Sequence, residues 1–113
     1  MDKWGDNVDN FKIIYKILKH LEASMDAEST DIAPISPEQL GITHERWERL
    51  LILLQDDGYI KGIATTQALG EDRPHITEPI HPFITLRGLE YLADNSFMRR
   101  AAQLLKGTVE IIK

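Results

Sequence analysis

Between Thr43 and Arg49 the chain reads Thr-His-Glu-Arg-Trp-Glu-Arg, a run of polar groups at helical spacing. Arg46 and Arg49 carry planar guanidinium groups, the type that bonds guanine edges in bidentate fashion in the major groove. Thr43 with the helix N-terminus suits a phosphate, because free backbone N–H groups and the helix dipole point there, and His44 is a further candidate DNA contact. Lys61 and Arg73, further along, would add phosphate or minor-groove contacts. Glu45 and Glu48 stand among these cations and would repel a phosphate backbone, although a glutamate can also accept from cytosine N4. The same helix therefore supports a second reading, a protein-binding face built from Glu45, Glu48 and Ile52.

Other polar groups make weaker cases. His75 and His81 have the even spacing that puts both on one face of a strand, but Glu78 between them has the opposite parity. Pro79 disturbs the pattern further, and with no Cys and no fourth ligand no metal site is assigned. Asp56-Asp57 reads as a helix end, not as two carboxylates facing across a cleft. Neither a nucleophile–base pair nor a glycine-rich phosphate loop is legible, so no enzyme activity and no cofactor is expected.

Composition narrows the classes. The chain has 113 residues, enough for one core but not two. It contains no Cys, which rules out disulfides, thiolate metal sites and cysteine nucleophiles. Neither a signal peptide nor a membrane-spanning apolar run is legible, and the expected location is the cytoplasm. The net charge of −5 weighs against a strong nucleic-acid footprint, since cations that neutralise phosphates supply most non-specific affinity. Residues 31–58, which include the arginine helix, hold 2 basic and 6 acidic groups. Of the four segments 1–30, 31–58, 59–95 and 96–113, only the last is basic, with 4 basic groups and 1 acid.

The elements that must position these groups follow from periodicity and punctuation. Residues 1–8 read as a flexible lead-in, and residues 9–113 as a single domain. Asp9 or Asn10 caps a first helix on which Phe11, Ile14, Leu18, Leu21 and Met25 recur at helical spacing. Ile32-Ala33-Pro34-Ile35 is too short and proline-broken for more than an edge strand. Ser36-Pro37-Glu38-Gln39 is a compact helix start, with Ser36 as N-cap, Pro37 at the first helical position and Gln39 completing a capping box. Gly41 ends that helix and Thr43 caps the next, which runs to about Asp57 and faces Trp47, Leu50, Leu51 and Leu54 inward. Glu45, Arg49, Ile52 and Asp56 fall on its opposite face.

Tyr59 to Thr66 reads as one strand and His75 to Ile84 as a second extended run, interrupted by Pro79 and Pro82. Thr85 then caps a helix to Asp94 whose apolar side is Leu86, Leu89 and Leu92. Ser96 caps a last helix to Lys113, with Phe97, Ala101, Leu105, Val109 and Ile112 in one stripe. That helix either packs on the first helix or forms a homodimer seam, the geometry that two DNA half-sites require.

This order predicts a mainly α fold with a small antiparallel β wing: an α+β winged helix-turn-helix with an additional C-terminal helix. Two junctions carry it: Leu40-Gly41-Ile42 before Trp47 and Leu50, and the Asp57-Gly58-Tyr59-Ile60 step paired with Ile84-Thr85-Leu86-Arg87-Gly88. Several segments also resemble the YjcQ-like family of small proteins from Gram-positive bacteria and their phages. They are Asp9 to Lys19, Ile35 to Ile42, Asp57 to Gly62, Ile84 to Leu92, and Leu104 to Gly107. The resemblance implies a winged-helix domain of prophage origin and brings no established activity or functional residues. Two functions are therefore carried forward: a regulator that binds double-stranded DNA, and an interaction module that meets an unknown protein partner.

Overall fold

The computed structural model describes residues 3–95, with side chains from residue 10 onward. The helix expected from Ser96, and with it the proposed dimer seam, lies outside the described residues. Helix α1 spans Lys3–Ala23, and short 3-10 turns follow at Ser24–Asp26 and Ala33–Ile35. Helix α2 is Pro37–Leu40 and α3 is His44–Asp56. Four two-residue strands come next: β1 Ile60–Lys61, β2 Thr65–Thr66, β3 His75–Ile76 and β4 Phe83–Ile84, before α4 at Leu86–Asp94. Three helices, a two-armed β wing and a return helix make this an α+β winged-helix-like fold.

Local signals set the helix ends. Ser36 Oγ accepts from the Gln39 N–H at 3.2 Å, Thr43 Oγ1 from the Arg46 N–H at 3.1 Å, and Thr85 Oγ1 from the Gly88 N–H at 3.1 Å. Each hydroxyl satisfies a backbone donor that has no partner inside its own helix. Gly41, at φ 73°, closes α2 in the left-handed conformation. Helix α1 starts at Lys3, several residues before the expected Asp9 or Asn10 cap, and the Pro34 segment winds into a 3-10 turn instead of an edge strand.

The core gathers Ile13, Ile17, Leu18 and Leu21 of α1 against Leu50, Leu51 and Leu54 of α3, with Ile60, Ile80, Ile84 and Leu92 closing it. The buried Trp47 indole donates to the Ile35 carbonyl at 2.8 Å, which fixes the 3-10 turn onto α3. Two expected stripes hold in their middle and fail at one end or both. Leu18 and Leu21 of α1 are buried as expected, joined by Ile13 and Ile17, whereas Phe11 is 64% exposed and Met25, in the 3-10 turn after α1, is 59% exposed. On α4, Leu92 is buried but Leu86 is 73% exposed.

The wing consists of two short antiparallel ladders on one pair of arms. In the inner ladder Ile60 faces Ile84 and Lys61 faces Phe83; in the outer one Thr65 faces Ile76 and Thr66 faces His75. The expected continuous strand breaks at Gly62, whose φ of 98° disfavours any other residue. A side chain there would also strike the His81 carbonyl. The returning arm carries Pro79 and the buried Pro82 between the ladders, so more residues separate β3 from β4 than β1 from β2.

The start of α4 lies unusually close to the inner ladder. A Cβ at Gly88 would collide with the Tyr59 carbonyl oxygen and come within 2.6 Å of Ile84 Cγ1. The Thr85 hydroxyl, while capping α4, donates to the Gly58 carbonyl at 2.6 Å. One hydroxyl thus ties the end of α3 to the start of α4, and the spacing of Thr85 and Gly88 has a steric cause. Among the described residues no helix is long and apolar enough to cross a membrane.

Candidate nucleic-acid interface

Helix α3 turns two polar side chains toward the wing. Glu48 and Gln55 are seven residues apart, so they project from nearly the same side of the helix. The Gln55 amide takes the place of a strand partner: its Nε2 donates to the Ile63 carbonyl at 2.7 Å, and its Oε1 accepts from the Ile63 N–H at 2.9 Å. Glu48 holds the returning arm. Its Oε2 accepts from the Ile76 N–H at 2.8 Å, and its Oε1 lies 2.9 Å from His75 Nδ1. His75 Nε2 faces Glu71 on the other side at 3.7 Å.

The expected surface role of Glu48 is therefore corrected. It is 5% exposed, the one buried charged side chain among the described residues, and it belongs to the helix–wing junction. Burial pushes its carboxyl pKa up. The Ile76 N–H, the His75 hydrogen bond and the positive potential of His75 and His44 outweigh that, leaving it below the ordinary carboxylate value. A charge can be buried here because both oxygens are bonded.

With Glu48 turned inward, the exposed side of α3 changes character. Arg49 of α3 and Arg73, just before β3, line one cleft of about 330 Å³ with Ile52, Leu53 and Pro74. Neither guanidinium has a hydrogen-bond or ion-pair partner among the described residues, and Arg73 Nε is buried without one. Two cations with no ion pair among the described residues, sharing a partly apolar cleft, have the charge to attract an anion.

The remaining sequence candidates are scattered. Thr43 Oγ1 is engaged as the α3 cap, and the exposed His44 ring stacks at a tilt on Trp47 with centroids 5.2 Å apart. Glu45 is exposed in the first turn and Arg46 is half-buried. Ile52 is half-buried in the cleft wall. Lys61 stands exposed on the inner ladder, opposite Phe83, instead of beside the two arginines. His75 faces Glu48 while His81 is exposed, and no cluster of three or more His, Asp or Glu among the described residues could hold a metal. Sequence reasoning missed Gln55 altogether. Its only signal was a polar residue on the side of α3 next to the leucine stripe.

Fold and cleft together define a small winged-helix-like protein with an arginine-lined junction between its third helix and its wing. The chain belongs to the YjcQ protein family, whose model matches residues 15–111. It is similar to the uncharacterized protein YjcQ of Bacillus subtilis (strain 168), with 28% identity over 102 residues that cover 90% of this chain and 96% of the relative. No solved structure matches the chain.

Proposed function

We propose that this protein is a DNA-binding regulator that sets the cleft between α3 and the wing against the phosphate backbone of a duplex. The observation that carries the reading is the pairing of Arg49 with Arg73 in one cleft without counter-charges, while Glu48 beside Arg49 is turned inward. In a winged helix both the third helix and the wing approach the same duplex, and cations at their junction meet phosphates whatever the base sequence. The net charge of −5 keeps general attraction weak, so the affinity must come from this local pair.

Fluorescence anisotropy with a mixed-sequence duplex across a salt series tests it. Binding should weaken as salt rises, and Arg49→Ala with Arg73→Ala should lower the salt slope by about 2, one for each lost phosphate contact. Absence of binding at low salt would sink the reading.

A second reading is favoured by the apolar wall of the same cleft, where Leu53 is 58% exposed beside Ile52 and Pro74. It is a protein-interaction module whose partner presents an acidic group next to an apolar one. Ile52→Asn should weaken such a complex at its apolar wall and, adding no charge beside the arginines, leave DNA binding largely intact. Glu48→Arg, in contrast, would damage the helix–wing junction itself.

A further inference from the structure

The wing ends in a large apolar side chain held in water. Leu69, between β2 and β3, is 95% exposed. A lone exposed leucine is ordinary, but this one stands on a turn closed by three hydrogen bonds. The Glu71 N–H donates to the Ala68 carbonyl at 3.0 Å, the Ala68 N–H to Glu71 Oε1 at 2.9 Å, and Gln67 Nε2 to the Glu71 carbonyl at 2.8 Å. Gly70, at φ 90°, supplies the left-handed residue that the turn needs. Next to it Asp72 is exposed and has no hydrogen-bond or ion-pair partner among the described residues. Glu71 is committed elsewhere, to the turn and toward His75 Nε2 at 3.7 Å. The tip thus presents an anchor of fixed shape: one apolar knob with one unpaired carboxylate beside it.

The cleft between α3 and the same wing has the complementary chemistry. Ile52, Leu53 and Pro74 form its apolar wall, Leu53 at 58% exposure, and Arg49 and Arg73 bring two guanidiniums with no carboxylate among the described residues. We propose that this cleft receives the wing tip of a second copy of the chain, with Leu69 against the apolar wall and Asp72 facing the two guanidiniums. The tip cannot serve its own cleft, since Leu69 stands in water.

Tip and cleft adjoin on one chain, with Leu69 only four residues before Arg73 and so within about 14 Å of it along the backbone. Two copies related by a two-fold axis can then lay each tip over the other's cleft, which makes the exchange twice and closes the assembly. Two knobs and two clefts make a small interface, so the dimer is weak and reversible. The inference rests on the second reading of the cleft, as the seat of a protein with an acidic group next to an apolar one, and it names that protein. A tip seated there covers Arg49 and Arg73, so dimer and duplex exclude each other.

Sedimentation of the full chain alone, from about 10 μM to about 1 mM, tests it through the dimer dissociation constant. Wild type should pass from monomer to dimer within that range. Leu69→Ser should raise the constant about a hundredfold or more, because each dimer loses two apolar anchors. The exposed position leaves the core intact. Asp72→Arg should raise it about tenfold or more, although it reduces the net negative charge and with it the general repulsion between copies. Adding Arg49→Glu to Asp72→Arg should restore about tenfold of that loss, because the cleft then offers the opposite sign. A monomer throughout the range, a dimer indifferent to Leu69→Ser or to Asp72→Arg, or a double variant no better than Asp72→Arg alone would each overturn the inference. No DNA and no other protein enters the measurement, so its failure is distinct from failure of either reading of the cleft.

Discussion

The inner ladder of the wing, β1 with β4, lies under apolar side chains, whereas the outer ladder, β2 with β3, is tied to α3 by two polar ones. Ile60 and Ile84 of the inner pair are buried, and α4 approaches so closely that only glycine fits at position 88. The outer pair has both threonines exposed, and what fixes its arms is the Gln55 amide on one side and the Glu48 carboxylate on the other. One hairpin is therefore stabilised by volume at its base and by hydrogen bonding above. The base should answer to changes of size, and the upper part to changes of charge.

The largest effect should come from Gly88→Val. Gly→Ala in a helix normally gains about 1 kcal/mol of propensity, but a branched side chain here would meet a backbone carbonyl that has no room to move. Overpacking dominates, and the expected loss is about 3 kcal/mol, read as a lower midpoint in urea denaturation. An unchanged midpoint would show that α4 rides loosely on the hairpin, and the contrast between the ladders would lose its first half.

Glu48→Ala comes next. It leaves the Ile76 N–H and His75 without their acceptor, at a cost of about 1–3 kcal/mol. The sharper readout is local. Exchange of the Thr77 amide, which donates to the Ala64 carbonyl at 2.9 Å beside the outer ladder, should accelerate more than that of Thr85, which donates to the Tyr59 carbonyl at 3.2 Å beside the inner one. Equal acceleration of both would erase the distinction between them.

Acid should give the smallest effect, of the same kind. The folded state holds the Glu48 carboxyl below its ordinary pKa, so the ionised form is the one that folding favours. The resulting stability is fully present above the ordinary carboxylate range and is lost as pH falls through the depressed folded value. In a pH titration of stability, the wild type should lose more than Glu48→Gln over that acid window. Identical curves would remove Glu48 as the acid-sensitive joint.

What was legible in the sequence was what is decided locally. Ser36, Thr43 and Thr85 cap because a short hydroxyl needs only the next turn of its own helix, and Gly41 turns because of its own backbone freedom. The α3 stripe was legible because its leucines and Trp47 occupy one narrow arc. On α1, apolar residues at 11, 13, 14, 17, 18 and 21 cover a broad arc. Which part of it is buried depends on where α3 and α4 lie, and that choice fell on the expected Leu18 and Leu21 together with Ile13 and Ile17. Glu48 was misplaced for a related reason. A charged residue on a helix is ordinarily solvated, and the partners that reverse this, His75 and Ile76, are 27 and 28 positions away. The cleft that joins Arg49 to Arg73 arises from the same long-range pairing.

The spacing of Glu48 and Gln55 has a mechanical consequence. Two pins on one side of a helix, each gripping a different arm of a hairpin, suppress both the rocking and the twisting of that hairpin about the helix axis. Helix and wing then behave as a rigid caliper whose jaws carry Arg49 and Arg73. Under the proposed DNA-binding function, a caliper set before it closes would lose little freedom on gripping the duplex, so that two cations would suffice where a floppy surface would need more. It would also accept only a duplex of matching groove width, so that the gap between the jaws would discriminate by shape, with no base edge touched.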